Sequence, residues 1–295
     1  MKWTPGADSS NVEDRRGASG GLGGGGFGGG GMGRMGLGGT VILLILSLVF
    51  GRNLIGGGGG GAVDPGSTVA TTSGGDVPPT SESATEKQHR EFMTFVLDDV
   101  QRTWTTLLPA AGGPQYRDAK MVLYRGGTSS GCGDATSDVG PFYCPVDHKV
   151  YLDLSFLDEL STRFGAKGDF AQAYVLAHEL GHHVQSLLGT DARVRQMQES
   201  RPDQANALSV RLELQADCYA GVYANQAQNK LDPGDVDEAL GAASAVGDDR
   251  LQQQATGRVR PDTFTHGTAA QRSNWFKRGY TTGRPDNCDT FAGAI

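Results

Sequence analysis

Asp169-Phe170-Ala171-Gln172-Ala173-Tyr174-Val175-Leu176-Ala177-His178-Glu179-Leu180-Gly181-His182-His183-Val184-Gln185-Ser186-Leu187-Leu188, followed by Gly189, reads as one helix with chemistry in its central turns. Asp169 follows Gly168 and precedes Gln172 at the third helical position, a capping-box variant. Glycine just past Leu188 suits a left-handed terminus. His178 and His182 are four positions apart, so a helix places both imidazoles on one face, one turn apart. Their nitrogens can converge on one tetrahedral ion at ~2.0–2.1 Å. Glu179 lies about 100° further around the helix. It can face the open side of that ion, where a base must sit to take a proton from water. Ala177 and Gly181 share the histidine stripe, and Gly181 costs ~1 kcal/mol relative to alanine inside a helix. A small residue at that cost predicts the close approach of another backbone or a ligand.

A catalytic zinc needs a third protein ligand. An extension to a third histidine would require glycine at 185 and histidine at 188, where the chain has Gln185 and Leu188. The preferred candidate is Glu213, in Glu213-Leu214-Gln215-Ala216-Asp217. It borders an apolar face marked by Leu208, Leu212, Tyr219 and Tyr223. Ala216 and Ala220 continue its stripe with small side chains, leaving room for the histidine helix. Asp217 could accept a hydrogen bond from the distal nitrogen of a ligating histidine. Glu199, just before Pro202 in an expected interhelical turn, is the lesser alternative ligand. His148 and His183 are read as surface or supporting residues.

Working outward, Glu86–Leu108 has helical spacing through Phe92, Phe95, Val96, Val100 and Trp104, stopped by Pro109 and Gly112-Gly113-Pro114. Lys120–Tyr124 and Lys149–Leu154 read as strands, and Ser155–Phe164 as a short helix. Further helices are expected over Ser200–Asn229, with Pro202 in the first turn, over Pro233–Thr256 and over Thr268–Tyr280. The fold class expected is α+β, mostly helical with a small sheet, over residues 85–295. That length suits one hydrophobic core.

Most of the 46 glycines of this 295-residue chain fall before residue 76. Residues 1–39 read as a disordered Gly-rich arm, and residues 56–84 as a flexible Gly/Ser/Thr/Pro linker. Between them Thr40–Phe50 is the most apolar stretch in the chain. Extended over Leu37–Ile55, it approaches the ~20 residues that span a bilayer as a helix. Residues 40–55 are read as an uncleaved transmembrane signal anchor, with a cleaved signal peptide as the alternative. Lys2, Arg15, Arg16 and Arg34 precede the run and only Arg52 closely follows it. The positive-inside bias then predicts a single-pass protein of the cell membrane, its N-terminus internal and its main domain extracytoplasmic. The net charge of −7 has no basic cluster, which argues against a nucleic-acid partner.

Cys132, Cys144, Cys218 and Cys288 contain no Cys-x-x-Cys pair, which disfavours a zinc knuckle. Cys132 and Cys144 bracket a Gly/Ser/Pro-rich loop and look like a local staple, leaving Cys218 for Cys288. Four cysteines allow three pairings, and disulfides require an oxidising compartment.

His178-Glu179-Leu180-Gly181-His182 followed by Glu213-Leu214-Gln215-Ala216-Asp217 resembles a gluzincin. Residues from the linker's end to the C-terminus resemble, more closely, the bacterial neutral zinc metallopeptidase family. Supporting segments are Gly131-Cys132-Gly133, Gly140-Pro141-Phe142-Tyr143-Cys144-Pro145, Val150-Tyr151-Leu152-Asp153, Thr265-His266-Gly267-Thr268 and Gln271-Arg272. The resemblance implies a membrane-tethered, zincin-like metallopeptidase domain holding one Zn2+. In gluzincins a later histidine stabilises the oxyanion, and His266 could serve, a capping or packing role being the alternative. The expected activity is cleavage of a peptide or protein substrate, with Glu179 as general base. The strand Val150–Leu154 would hold an extended substrate by edge pairing. The alternative is a membrane-tethered, non-catalytic zinc-binding or assembly protein on the same fold.

Overall fold

The computed structural model describes residues 1–18 and 76–295. The expected transmembrane segment 40–55 lies outside the described residues, with most of the arm and linker. Among the described residues no helix is long and apolar enough to cross a membrane.

The chain begins with a short strand, β1 (Val12–Asp14), then α1 (Ala84–Ala110), β2 (Lys120–Tyr124), β3 (Gly127–Ser130), β4 (Gly133–Thr136), β5 (Phe142–Cys144) and β6 (Lys149–Asp153). The remainder is helical: α2 (Ser155–Thr162), α3 (Asp169–Leu187), α4 (Thr190–Ser200), α5 (Ala205–Gln226), α6 (Asp235–Ala245), α7 (Asp248–Thr256) and α8 (Ala269–Thr282). One sheet has the order β1-β2-β6-β5, with β5 antiparallel to β6 and the other pairs parallel; β3 and β4 form a separate hairpin. The fold is α+β and mostly helical.

Local chemistry explains the best-defined ends. The Ser83 hydroxyl accepts from the Glu86 N–H while the Glu86 carboxylate accepts from the Ser83 N–H, a closed capping box on α1. Thr268 and Gln271 form another on α8. One core joins α1, α3, α5 and the inner sheet face through Val96, Trp104, Leu123, Phe170, Leu180 and Val222. At the crossing of α5 and α8 the backbones nearly touch. A Cβ on Gly221 would lie 2.0 Å from the Phe276 carbonyl oxygen, and one on Gly279 would lie 1.9 Å from that of Cys218.

Several expectations are corrected. Residues 1–18 are not part of a disordered arm, because Val12–Asp14 pairs with Met121–Leu123. Residues 84 and beyond belong to α1, so the linker ends slightly earlier than expected. Asp169 does not cap α3: Gly168 is the cap residue, the Phe170 N–H is satisfied by Glu238, and Asp169 pairs with the Met1 amino group. Residues 190–200 form α4, and Pro202 sits in a 3-10 turn before α5 instead of in its first turn. The expected helix over Pro233–Thr256 breaks at Gly247, whose absent side chain admits the Ala269 N–H; a Cβ there would be 2.3 Å from that nitrogen. The loop after Cys132 also contains strands, β4 and β5.

Both suggested disulfides form, Cys132–Cys144 and Cys218–Cys288. The second ties the middle of α5 to the C-terminal tail.

Candidate metal centre

Helices α3 and α5 meet where their side chains are smallest. A Cβ on Gly181 would lie 3.0 Å from the Ala216 carbonyl oxygen and 3.1 Å from its Cα. This close approach carries Glu213 across to the two histidines. His178 Nε2 lies 3.1 Å from Glu213 Oε2, and His182 Nε2 lies 3.5 Å from Glu213 Oε1. One ligand atom from each of the three residues falls within 4.8 Å of the others. Tetrahedral bonds of ~2.0–2.1 Å place neighbouring ligand atoms roughly 3.3 Å apart. The two nitrogen–carboxylate separations fit that spacing.

The far sides of both rings are held. His178 Nδ1 donates to Asp217 Oδ1 at 2.8 Å, and His182 Nδ1 donates to Gln185 Oε1 at 2.8 Å. Both partners are acceptors, so each neutral ring carries its proton on Nδ1 and turns a bare Nε2 inward. Gln185 is anchored in turn, its amide donating to the Leu212 carbonyl oxygen at 2.7 Å and to Gln215 Oε1 at 3.1 Å. Asp217 is buried and clamped by Arg272, whose Nε donates at 2.8 Å and Nη2 at 3.0 Å. The Tyr174 hydroxyl donates to the same carboxylate at 2.5 Å.

The electrostatics favour positive charge at the centre. Burial alone would raise the Glu213 carboxyl, but His182, His266 and His178 outweigh it and hold it well below the usual range. Burial works against charge on His178, yet Asp217 and Glu213 raise it to about 10. For Asp217, Arg272 and His178 overcome burial and lower the carboxyl. Two anionic carboxylates around two imidazoles suit a cation, and the nitrogen and oxygen donors suit zinc.

Glu179 is half-buried beside the cluster. Burial raises its carboxyl above the usual range, against the pull of His178 and His182. Tyr143 on β5 is near enough for its backbone to favour the charged carboxylate, which places this strand beside Glu179. His266 is near enough for its charge and that of Glu213 to act on one another. Its Nδ1 lies 3.3 Å from Asp248 Oδ1, while Asp248 Oδ2 accepts the backbone N–H groups of Thr265, His266 and Gly267 at 2.7–3.0 Å. The loop is thereby pinned with Nε2 free of that contact.

The structure thus brings together His178, His182, Glu213, Glu179 and Asp217, with His266 at the margin. Glu199 is exposed on α4 and outside the cluster. His183 faces away, between the Tyr143 hydroxyl and the Arg117 carbonyl oxygen, and His148 meets the same hydroxyl. Sequence reading missed the roles of Gln185, Asp248, Tyr143 and the Arg272 clamp. For Gln185 the available signal was its position three residues after His182, on the same helix. The others come from distant elements: Tyr143 and Arg272 stood only within segments of the family resemblance, and Asp248 left no signal. The expected substrate-pairing strand is also corrected: β6 is interior, flanked by β2 and β5, and the edge strands are β1 and β5.

The family described as "Putative neutral zinc metallopeptidase" matches residues 1–291. The chain is 48% identical over 300 residues to "Uncharacterized protein YpfJ" of Escherichia coli K12, with all of both chains covered. It is 49% identical over 210 residues to "Uncharacterized protein Mb2605" of Mycobacterium bovis, covering 67% of this chain and 69% of that one. "Uncharacterized protein Rv2575" of Mycobacterium tuberculosis matches to the same extent. No solved structure matches. With the family match running from residue 1 through residue 291, the chain belongs to the neutral zinc metallopeptidase family.

Proposed function

We propose that this chain is a zinc-dependent endopeptidase with a zincin-like active site, in which His178, His182 and Glu213 hold one Zn2+. The observation that carries the reading is their convergence beside a further carboxylate, Glu179, that does not share in it. Bound zinc would supply Lewis-acid polarisation and acidify water.

The chain's own groups divide the remaining work. The Glu179 carboxylate takes the proton of the attacking water and later delivers it to the leaving amine nitrogen. Its raised affinity for a proton suits both transfers. His266 donates from Nε2 toward the carbonyl oxygen as negative charge develops there, and Asp248 fixes the ring and favours its protonated form. The free edge of β5 offers backbone groups to an extended peptide. Its nearness to Glu179 at Tyr143 would set the scissile bond against the base. The substrate is a peptide or protein chain.

Glu179→Gln keeps the shape of the side chain and removes the base. Zinc content should stay near one ion per chain while cleavage of casein or a peptide library falls to background. Full hydrolysis by the variant would remove Glu179 from the mechanism. Zinc bound by a wild-type chain that cleaves nothing would favour a non-catalytic zinc protein.

A further inference from the structure

The first eighteen residues are bound into the same body as the metal centre. β1 pairs in parallel with β2, Val12 opposite Met121 and Asp14 opposite Leu123. The ladder continues beyond it, the Met121 N–H donating to the Asn11 carbonyl and the Arg15 N–H to the Leu123 carbonyl, both at 2.8 Å. Trp3 packs edge-on against Phe92 of α1, with ring centroids 5.3 Å apart. Lys149 of β6 pairs with Glu13 at 2.8 Å.

The chain also leaves and re-enters this body at one place. The Val77 N–H donates to the Asp14 carbonyl at 2.7 Å, and the Gly17 N–H donates to the Val77 carbonyl at 2.8 Å. Gly17 is packed so closely that a Cβ would lie 2.2 Å from the Pro78 carbonyl oxygen. A single crossing by the run between them would require about 30 Å of hydrocarbon to separate these hydrogen-bonded residues. The charge argument for such a crossing weakens as well. Arg15 is paired with Glu13 at 2.7 Å, and buried Arg16 with Asp14 at 2.6 Å and Glu82 at 2.7 Å. Two of the four cations counted before the apolar run are therefore held within the fold, and both lie beyond the ~15–20 residues flanking a span over which the positive-inside bias acts.

We propose that residues 1–18 and residues 76–295 lie on the same side of any membrane this chain meets. The internal N-terminus expected from charge counting is replaced by an N-terminus that shares the compartment of the metal centre and both disulfides. This inference is independent of catalysis.

All four cysteines are paired, so the full-length chain offers a thiol-free background for labelling. Ser10→Cys and Val259→Cys, at exposed positions, would be treated separately with a membrane-impermeant maleimide in spheroplasts, before and after lysis. Labelling of both before lysis, or of both only after it, is the expected result. Labelling of one before lysis and of the other only after it would overturn the proposal. A second measurement covers misfolding of either variant. Glu13→Cys and Lys149→Cys combined lie two strands apart, about 10 Å, within reach of a short bis-maleimide in the membrane fraction. Intrachain cross-linking supports the shared compartment. Its absence when both thiols react singly would defeat it.

Discussion

At the residue scale, the centre depends on side chains that touch no ion. Asp217 and Gln185 hold the outer nitrogens of His178 and His182, so that Nε2 of each ring faces inward. Arg272 supplies Asp217 with a bidentate cation in a buried setting, without which a desolvated carboxylate would be costly to keep charged. Partners of this kind commonly contribute 10–100-fold in metal affinity. Asp217→Asn should therefore weaken zinc binding by about 10–100-fold in a chelator competition, with the fold retained. Affinity equal to wild type would mean that the His178 ring is oriented without Asp217. Asp217 was legible as a helical neighbour of Glu213, one turn on. Arg272 stood only as a family motif, because nothing in its local sequence says that α8 points it at α5.

At the scale of elements, the α3–α5 contact decides whether the ligands can meet. Gly181 lies so close to Ala216 that a Cβ would sit 3.0 Å from its carbonyl oxygen, and the neighbouring helix would have to give by a few tenths of an ångström. The ~1 kcal/mol cost of a helical glycine is set against that approach, as its placement suggested. Gly181→Val should force the helices apart, lowering stability by about 1–3 kcal/mol, as overpacking does, and weakening zinc binding. Chemical denaturation and chelator competition measure the two effects. Unchanged zinc affinity would show that the ligands tolerate a wider spacing. Helix ends were less legible than helix interiors. Asp169 and Gln172 have the spacing of a capping box, but tertiary partners take over, with Glu238 bonding the Phe170 N–H and the Met1 amino group drawing away Asp169. Gly247 divides a helical pattern because α8 starts against it, a fact of packing and not of propensity.

At the scale of the whole molecule, two disulfides fasten the ends of the site. Cys132–Cys144 closes a short loop beside the β5 edge, whereas Cys218–Cys288 spans a sequence separation of 70. On loop-closure entropy the longer link is worth roughly 4 kcal/mol and the shorter roughly 3 kcal/mol. Replacing Cys218 and Cys288 by serine should therefore lower unfolding free energy by roughly 4 kcal/mol, more than the same change at Cys132 and Cys144. Denaturant titration of the two double variants gives the comparison. A larger loss at the shorter loop would show that native strain or residual unfolded structure outweighs chain entropy. Residues 1–18 were the least legible part of the architecture. Three residues of strand beside a glycine-rich tract carry no periodicity to read, and only the partner β2 makes Val12–Asp14 a strand.

The spacing His178-x-x-x-His182, the base one residue after the first histidine and the alanine stripe beyond Glu213 were determined by sequence alone, because helical geometry converts short intervals into shared faces. The same geometry marked the interiors of α1, α3, α5 and α8. Tertiary structure decided what intervals cannot carry: that Glu213 reaches both histidines, that Arg272 clamps Asp217 and Asp248 pins the His266 loop from distant helices, and that β5 is an edge strand. It also joined residues 1–18 to the sheet. Each of these depends on which distant surfaces pack together, and packing is set by the whole chain's burial and not by any one segment's pattern.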